Sequence, residues 1–384
     1  MRRHALIVVG AGPAGAAAAL HFLRRRPGAS VLLLDKAAFP RDKVCGDAIS
    51  PDGVAELERL GARSVVDGYA PIARMRVRSP GGVEASGTAP EPGYVVPRQV
   101  LDGRLVGLAV AAGAELRQVK VRTVEQDGRA VQVDGRFEAS ALVGADGASS
   151  VVRRRVGVPP NAQGHVGIAL RGYAPLGGQE PELYLGWVAA GGPAYAWAFP
   201  IRRSPPMDEE VRNVGFGLLA STAATRHLLE RGVRRNLDLV APDAATLRAH
   251  HLPMSSGRPC PYRGRVLLAG DAAALVNPLT GEGIFYALLS GRLAAQAALD
   301  APHDPGPRYA ALLRHALGRH FRHTGLLARM AAWPWTIDSV VTAARDPAVL
   351  QTVGELAFGK GVVTPRVVAH VTAGWLRQRP RPRQ

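Results

Sequence analysis

A glycine-rich turn between two apolar runs constrains this chain more than any other feature. Residues 5–9, ALIVV, have the composition of a strand that is buried on both faces. The turn GAGPAG follows at 10–15, and an alanine-rich helix is predicted to extend to about Arg26. A second apolar run, residues 31–34, ends on Asp35. This order of strand, helix, strand and acid predicts a βαβ unit with parallel strands.

The spacing of the glycines predicts a dinucleotide site. Gly10 permits the tight turn, Gly12 lets a pyrophosphate approach the amides at the helix N-terminus, and Gly15 lets the helix pack on the strand. Asp35 stands 20 positions after the last glycine and can accept hydrogen bonds from a ribose diol. The alternative is a chance glycine-rich turn, which the register of all four parts disfavours. The turn alone does not distinguish NAD from FAD.

Length and composition limit the class of protein. A chain of 384 residues exceeds one simple domain, so we expect two domains or one large domain with insertions. A hydrophobic content of 47% supports a sizeable core. No stretch approaches about 18 uninterrupted apolar residues, so no membrane-spanning helix is expected. The early core strand and the presence of only two cysteines, Cys45 and Cys260, predict a cytoplasmic protein with reduced thiols.

The net charge of +17 comes almost entirely from arginine, because lysine occurs only at positions 36, 43, 120 and 360. Such a surface attracts anionic membranes, nucleic acid or phosphorylated ligands. Peripheral contact with an anionic membrane and a merely solvated arginine-rich surface both stay open. Nucleic acid is not expected as a partner, because the sequence has neither zinc-ligand spacing nor an aromatic RNA-binding signature.

The pattern alternates between helices and short strands as far as about residue 140. The predicted elements are a helix over 51–60 capped by Asp52, a hairpin over 72–96, a helix over 98–112, and a three-stranded meander over 115–125, 130–133 and 137–139. Residues 164–252 are mostly strand-like, which predicts an antiparallel sheet, with a helix at 222–234.

These patterns divide the chain into three parts. A discontinuous nucleotide-binding domain is expected over 1–75, 97–165 and 255–300. A substrate-binding sheet domain is expected over 76–96 and 166–254, and a C-terminal helical region over 301–384.

Two further motifs extend the site toward a larger cofactor. Asp146-Gly147 and Gly270-Asp271 each follow a buried strand, where an acid near a helix N-terminus can bind a ribityl hydroxyl. The run NPLTGEGI at 277–284 offers a glycine-rich turn whose amides can lie along a flavin ring. Together these motifs favour FAD over NAD.

The motifs GAGPAG, ADGASSVVR and LLAGDAAALVNPLTGEGI, in this order, resemble those of the flavoprotein monooxygenase superfamily with the p-hydroxybenzoate hydroxylase fold. The loop RDKVCGD at 41–47 and the run YAWAFP at 195–200 are similar to the geranylgeranyl reductase family. The resemblance covers roughly residues 1 to 300. It implies an α/β fold, α+β overall, with a Rossmann-type FAD-binding domain, an inserted antiparallel-sheet substrate domain and C-terminal helices.

The resemblance also implies the residues that contact the cofactor. The glycine turn would hold the pyrophosphate, Asp35 the adenosine ribose (where the family usually has Glu) and Asp271 the pyrophosphate–ribityl region. The implied cofactor-binding residues are Gly10, Gly12, Ala14, Gly15, Asp35, Lys36, Arg41, Cys45, Gly46, Arg98, Val121, Asp271, Gly281, Gly283 and Ile284.

The functions of four further side chains are left open. Cys45 either orients an alkene or supplies a proton, as a catalytic residue, or is a small apolar wall residue, as Cys260 is expected to be. Tyr195 and Trp197 either line a substrate channel or pack in the core of the sheet. Glu282 is either catalytic or, more ordinarily, a capping or loop residue.

The resemblance implies an FAD-dependent enzyme that reduces carbon–carbon double bonds of an isoprenoid, a hydrophobic polyprenyl lipid or quinone, by hydride transfer from reduced flavin. The alternative is an FAD-dependent monooxygenase that hydroxylates or epoxidises an aromatic or terpenoid compound, because a fold does not decide the chemistry. A halogenase is disfavoured because Ala-Trp-Ala-Phe-Pro replaces the W-x-W-x-I-P signature of that branch. A non-catalytic flavin scaffold is a third class.

Other partners are less defined by the sequence. No second G-x-G-x-x-G is present, so NAD(P)H would bind transiently or a donor protein would deliver electrons. No metal site is expected, because His250 and His251 lack partner acids at ligand spacing. The helical patterns at 333–350 and 362–376 either seat the protein on a membrane or pack against the flavin domain.

Overall fold

The computed structural model describes residues 2–175, 181–188, 192–205, 211–219, 227, 229–232, 242–257, 260–331 and 333–378. Within them the chain forms three β-sheets of four, six and eight strands together with a set of helices. The expectation of a mixed α and β fold is confirmed.

A six-stranded sheet carries the glycine-rich turn. Its strands, in spatial order, are Tyr262–Arg263, Val266–Leu268, Leu142–Gly144, Leu6–Val9, Val31–Asp35 and Glu115–Gln118. The last five run parallel, with Val8 paired to Leu33 on one side and to Val143 on the other. The two strands of the βαβ unit are buried along their whole length, as unbroken apolar strands between covering layers must be.

The helix Pro13–Arg25 begins at the turn and packs against the helices Arg98–Ala111 and Ile284–Asp300. Small residues permit this close approach. A Cβ on Gly15 would collide with the carbonyl oxygen of Gly10, and one on Gly291 with that of Ala14. The starts of the three helices therefore lie near one another at the carboxyl edge of the sheet.

A four-stranded sheet consists of Arg2–His4, Phe137–Ala139, Val131–Val133 and Val124–Gln126. The predicted meander is therefore correct for its second and third strands, but a single strand over 115–125 is wrong. Glu115–Gln118 pairs with Leu32–Asp35 in the six-stranded sheet. The amide of Val119 then bonds the carbonyl of Asp35 at 2.7 Å and the chain leaves that sheet. The valines at 119, 121 and 124 are typical of a strand, so the composition predicts one strand here, although the apolar positions change phase after Leu116.

An eight-stranded sheet forms the second large sheet of the molecule. Its strands, in spatial order, are Arg248–Pro253, Val166–Pro175, Val211–Leu219, Gly192–Ile201, Glu182–Val188, Ile72–Arg78, Glu84–Val95 and Ala48–Ile49. Neighbours pair antiparallel except for Glu182–Val188 and Ile72–Arg78, which are parallel. The predicted hairpin over 72–96 is present and belongs to this sheet from residue 72 onward.

Alternation along Gly192–Ile201 gives the eight-stranded sheet two different faces. Tyr195, Trp197 and Phe199 join the large core cluster that includes the six-stranded sheet. The alanines between them pack into a separate cluster with Phe216 and Val214. The aromatic face of this strand is thus turned toward the candidate flavin site.

The helices Pro51–Arg59 and Arg98–Ala111 lie where the sequence predicts them. The cap of the first is Ser50, whose hydroxyl accepts from the amide of Gly53 at 3.2 Å, and not Asp52. The Asp52 carboxylate instead accepts from the amide of Lys360 at 3.1 Å. Short helices occur at Arg63–Val66, Val151–Arg155, Ala244–Thr246, Ser255–Gly257 and Gly270–Ala273. The helix expected at 222–234 lies largely outside the described residues.

Four helices end the described part of the chain: Pro305–Met330, Pro334–Ala343, Pro347–Phe358 and Pro365–Gln378. A buried polar cluster ties them to the helix Ile284–Asp300. The hydroxyl of Tyr286 lies 2.8 Å from Nε2 of His320 and donates to the carbonyl of Gly359 at 2.6 Å. The helices Pro334–Ala343 and Pro347–Phe358 pack against the strand Glu84–Val95 of the eight-stranded sheet. Among the described residues, no helix is long and apolar enough to cross a membrane.

Candidate active site

The N-terminus of the helix Pro13–Arg25 faces two guanidinium groups. A Cβ on Gly12 would lie 3.6 Å from Nη2 of Arg41 and 3.9 Å from Nη2 of Arg98, with no backbone among its nearest atoms. The helix dipole and both cations therefore act on the same small space. A helix N-terminus beside two arginines is suited to a pyrophosphate, which would occupy the position that a side chain at residue 12 would fill.

Asp102 fixes both arginines. It accepts from Nε and Nη2 of Arg98 at 2.7 and 2.8 Å, and it lies 3.2 Å from Nη1 of Arg41. Burial alone would lower the pKa of Arg98, but the charge and hydrogen bonds of Asp102 raise it above its usual value. Arg98 therefore stays charged although only 3% of its surface is exposed. The sequence pattern did not identify Asp102, one helical turn beyond Arg98.

Asp35 lies where the adenosine ribose is expected. Its two oxygens accept from the amides of Ala11 and Ala37 at 2.8 and 2.9 Å, which fixes the carboxylate beside the glycine turn. Val121 is buried, two residues after Val119, whose amide bonds the carbonyl of Asp35. Lys36 is exposed. The geometry is suited to ribose recognition by Asp35, whereas neither Val121 nor Lys36 lines the pocket described below.

Asp271 follows the strand Val266–Leu268 and stays ionised. Burial alone would raise its pKa, but Lys43, whose Nζ lies 2.8 Å away, and His250, at 3.9 Å, lower it well below its usual value. A Cβ on Gly283 would lie 3.7 Å from Oδ1 of Asp271. Asp271 and the NPLTGEGI turn therefore meet, as an extended flavin site requires.

Asp146 does not share this arrangement. Its carboxylate accepts from the amides of Val151 and Val152 at 2.6 and 3.1 Å and from the hydroxyl of Ser150. These bonds cap the short helix that follows, so the expectation that Asp146 binds a ribityl hydroxyl is not supported by its contacts. Asp146 supports the start of this helix together with Ser150, the N-cap residue, whose hydroxyl accepts from the amide of Arg153 at 2.9 Å.

One pocket of about 110 Å³ brings together residues from separate motifs. It runs from Pro13 at the helix N-terminus to the turn at 281–284, and Cys45, Gly46, Arg98 and Asp271 line it. Gly281 has φ +75°, and a Cβ there would collide with the hydroxyl of Tyr195. Glycine is therefore needed at this point of the turn for both backbone and space.

The loop that carries Cys45 is held by the eight-stranded sheet. Nδ2 of Asn213 donates to the carbonyl of Cys45 and to Oδ2 of Asp47, each at 2.8 Å. The hydroxyl of Tyr173 donates to the same Oδ2 at 2.7 Å, and the amide of Arg98 lies 3.3 Å from Oδ1. Asn213 and Tyr173 could not be predicted, because neither belongs to a motif and Asp47, which both contact, is more than 120 residues away.

Asp47 is buried in a left-handed backbone conformation, with φ +61°. Burial raises its pKa to about 6, against the hydrogen bonds of Tyr173 and Asn213, which lower it. A non-glycine residue at positive φ needs strong local support, which these bonds supply. They fix the direction in which Cys45 and Gly46 enter the pocket.

The Cys45 thiol is protonated near neutral pH. Burial raises its pKa above the usual value, and the nearby Arg98 opposes this only in part. The thiol form is a weak nucleophile. Cys45 is thus placed in the pocket wall but is not activated in this structure. Cys260, expected to be a wall residue, is instead exposed at the surface.

Tyr195 and Trp197 stack on each other with ring centroids 5.7 Å apart, and both line the pocket. Nε1 of Trp197 donates to Oδ1 of Asn213 at 2.8 Å, so the ring is part of the support for the Cys45 loop. Tyr195 also reaches a second, much larger cavity. Tyr195 therefore packs in the core and also lines both cavities, while substrate contact stays a prediction.

The larger cavity has a volume of about 1790 Å³ and lies against the pocket of about 110 Å³, which we call the flavin pocket. Seven residues line both: Ala48, Leu183, Tyr195, Phe199, Thr280, Glu282 and Phe358. One wall comes from the strands Ile72–Arg78 and Glu84–Val95, as expected for the sheet. The opposite wall comes from the C-terminal helices, through side chains such as Leu326, Ile337, Leu350, Leu356 and Val367. The sequence motifs did not reveal this second wall.

No metal centre is evident in the part of the chain that the structure describes, where no three His, Cys, Asp or Glu side chains cluster at binding distance. The residues present fit FAD instead. The helix N-terminus with its two arginines suits a pyrophosphate, Asp35 suits a ribose, and Asp271 with the turn at 281–284 forms the far end. The cofactor would supply two-electron redox chemistry at that far end.

Comparison with known proteins agrees with this geometry. A family described as "FAD binding domain" matches residues 3–289. Menaquinone reductase of Mycolicibacterium smegmatis is 36% identical over 387 residues, covering 92% of this chain and 91% of that protein. Digeranylgeranylglycerophospholipid reductase 1 of Methanopyrus kandleri is 32% identical, covering 85% and 89% respectively.

Solved structures show the same fold. A geranylgeranyl bacteriochlorophyll reductase-like protein of Thermoplasma acidophilum superposes with a TM-score of 0.77 at 21% identity, over 97% of this chain and 100% of that chain. A flavin-dependent brominase superposes with a TM-score of 0.70 at 16% identity, over 98% and 100%. At these identities the likeness concerns architecture, which reductases and halogenases share.

Proposed function

This chain belongs to the FAD-binding family of flavoprotein oxidoreductases related to the geranylgeranyl reductases, and we propose that it reduces carbon–carbon double bonds in the polyprenyl tail of a quinone or lipid. Bound FAD, once reduced, would supply a hydride to one carbon of the double bond. The chain's own residues have three tasks: to hold an apolar tail, to bring one double bond to the flavin, and to supply a proton.

The large cavity is the observation that carries the proposal. Sites for compact ligands occupy about 300–1,000 Å³, and this cavity of about 1790 Å³ is well beyond that range. Its walls are mostly apolar, and it ends at Tyr195, Phe199 and Phe358, beside the flavin pocket. A long hydrocarbon chain fits such a space better than a small aromatic compound would.

The relatives support a prenylated quinone or lipid as the substrate class. Their names include menaquinone reductase and digeranylgeranylglycerophospholipid reductase, whose substrates combine a polar head with isoprenoid chains. Such a molecule would leave its head near the cavity mouth and extend its tail toward the flavin. The electron donor is proposed to be NAD(P)H or a donor protein that acts transiently at the pocket.

We propose that an anionic membrane is a partner of this protein, contacted through the mouth of the large cavity. Leu326, Met330, Trp335 and Val368 line the cavity and are also exposed, and Trp333 is exposed beside them. The helices Pro305–Met330 and Pro365–Gln378 contain arginine and histidine but no acid. Exposed apolar side chains among cationic ones are typical of a helix that lies at the interface of an anionic membrane. A prenyl substrate would then enter the cavity from that membrane.

Anaerobic turnover with chemically reduced enzyme and a prenylated quinone tests the proposed reaction. A product heavier by two hydrogens supports it, whereas a product that needs oxygen and gains an oxygen atom would indicate the monooxygenase instead.

The tail site is tested with Gly354→Phe, because Gly354 lines the cavity and a Cβ there meets nothing within 4 Å. We expect it to reject long tails and keep short ones. Gly325→Phe is the matched control, since Gly325 is an equally open helix position outside the lining.

A further inference from the structure

Glu282 stands at the boundary between the two cavities. It lies between Gly281 and Gly283 in the turn against the flavin pocket, and it lines both the pocket and the large cavity. It is only 8% exposed. A side chain in this position faces the point where a substrate tail and the flavin would meet.

The Glu282 carboxyl is held by the start of the helix Ile284–Asp300. One oxygen accepts from the amide of Phe285 at 2.8 Å. Thr280, two positions before Glu282, anchors the turn, because its hydroxyl donates to the carbonyl of Ala357 at 2.5 Å. Among the described residues no basic side chain forms an ion pair with Glu282. The carboxyl is therefore oriented without being neutralised by a cation.

The environment of Glu282 suits proton transfer near neutral pH. Burial raises its pKa to about 7, while the amides of Phe285 and Ile284 and the charge of Arg98 lower it. The other titratable groups that line the flavin pocket are Lys43, Cys45, Arg98, Arg171, Tyr195, His250 and Asp271. An acid whose pKa lies near the working pH can both hold a proton and release it.

Two other groups in the pocket are poorer donors. Burial raises the pKa of the Cys45 thiol above its usual value, and burial also raises that of the Tyr195 hydroxyl, with Cys45 adding to it. Asp271 is held ionised by Lys43 and His250 and so has no proton to give. Glu282 is the remaining oriented acid that reaches both cavities.

We propose that Glu282 is the proton donor for reduction of the substrate double bond, an inference that rests on the proposed function. The hydride from reduced flavin would form one new C–H bond at one alkene carbon. The O–H bond of Glu282 would break and its proton would bond the other carbon, using the electron pair of the π bond. Glu282 would be left as a carboxylate, which regains a proton from solvent before the next turnover.

The variant Glu282→Gln separates this function from helix capping. Its amide oxygen can still accept from Phe285 and its volume is nearly the same, but it cannot donate an acid proton. Infrared spectra of the FAD-loaded protein, recorded against pH, give a readout that does not depend on turnover. We expect a protonated-carboxyl C=O band that disappears as pH rises through about 7 and is absent in Glu282→Gln. Asp47→Asn serves as the control, since Asp47 is the other buried acid of this region with a raised pKa.

Turnover then completes the test. With pre-reduced enzyme, Glu282→Gln should lose at least tenfold in the rate of double-bond reduction, together with the solvent isotope effect and the pH dependence near 7. FAD binding should be unchanged. Full turnover in Glu282→Gln, or a band that survives the substitution, would overturn the proton-donor assignment. If the wild-type protein shows the titrating band but reduces no prenyl substrate, the proposed function fails instead.

Discussion

Asn213 donates a hydrogen bond to the backbone carbonyl of Cys45 across 168 residues of sequence, at 2.8 Å. The same amide group bonds Asp47, and its oxygen accepts from Nε1 of Trp197. One side chain on a strand of the eight-stranded sheet therefore connects the loop beside the flavin pocket to the aromatic wall. The sheet positions the loop as well as enclosing the substrate space.

Asn213→Ala should loosen this loop. The substitution leaves the Cys45 carbonyl, the Asp47 carboxylate and the Trp197 N–H without their partner, which we expect to lower the free energy of unfolding by about 3 kcal/mol. Visible circular dichroism of bound FAD should change as well. Asn161→Ala is the control, because Asn161 also bonds two carbonyls, of His165 and Met254, but lies away from the pocket. An unchanged flavin spectrum in Asn213→Ala would show that the loop is held by other contacts.

The sequence identifies candidate residues at the two ends of the cofactor site because these residues are local to short motifs, and their contacts with FAD stay a prediction. The turn at 10–15, Asp35 and the turn at 281–284 each need a particular backbone shape, which glycine spacing records in the sequence. Asp102, Asp47 and Asn213 were missed because their function depends on partners far away in sequence. Nothing in a single sequence reports such pairings.

The C-terminal helices show a second limit of the sequence. Their apolar periodicity predicts helices, but one apolar face looks the same whether it packs against protein or lines a cavity. The structure shows that residues such as Leu350 and Leu356 border the large cavity. The meander error arises because strand-forming valines continue through 119–124, although the apolar positions change phase after Leu116, close to the point where the chain changes sheets.

Asp102→Asn should destabilise the protein most when FAD is absent. Buried Arg98 would lose its carboxylate, a loss that costs about 3–5 kcal/mol for a buried pair, while Arg41 would keep only Asp35, 3.7 Å from its Nη2. The pyrophosphate of FAD would restore an anion to the same space, so the rise in melting temperature on adding FAD should be larger than in the wild type. Glu56→Gln is the control. Glu56 is a buried partner of Arg59 and Arg292 and does not line the pocket. In Glu56→Gln the rise in melting temperature on adding FAD should equal that of the wild type.

The two cysteines should differ strongly in reactivity. Cys260 is exposed, whereas burial raises the pKa of the Cys45 thiol, so little reactive thiolate forms there near neutral pH. We expect one fast and one slow phase with a thiol-disulfide reagent. Cys260→Ser should remove the fast phase and Cys45→Ser the slow one, and bound FAD should slow the latter further. Two phases of equal rate would show that Cys45 is accessible.

Glu282 should make stability depend on pH. In the unfolded chain its carboxyl titrates near 4.5, and in the folded protein near 7, so the folded state holds an extra proton between these values. The free energy of unfolding therefore falls as pH rises from 4.5 to 7, by up to about 3 kcal/mol from this group, and the penalty is absent below 4.5. Urea unfolding of Glu282→Gln against the wild type isolates this contribution. Parallel stability curves for the two proteins would contradict the raised pKa.

Removing apolar side chains at the cavity mouth should weaken binding to anionic vesicles. Leu326 and Trp335 are 57% and 50% exposed and border the mouth, so Leu326→Ala with Trp335→Ala removes apolar area that would otherwise enter the lipid interface. In sedimentation assays we expect the affinity of the variant for phosphatidylglycerol vesicles to fall at least tenfold. Added salt should weaken wild-type binding, because it screens the arginines. Leu116→Ala is the matched control, because Leu116 is an exposed apolar residue on a strand at the edge of the six-stranded sheet. Equal loss in control and variant would place the contact elsewhere, and binding that neither substitution affects would mean that the mouth does not meet the membrane.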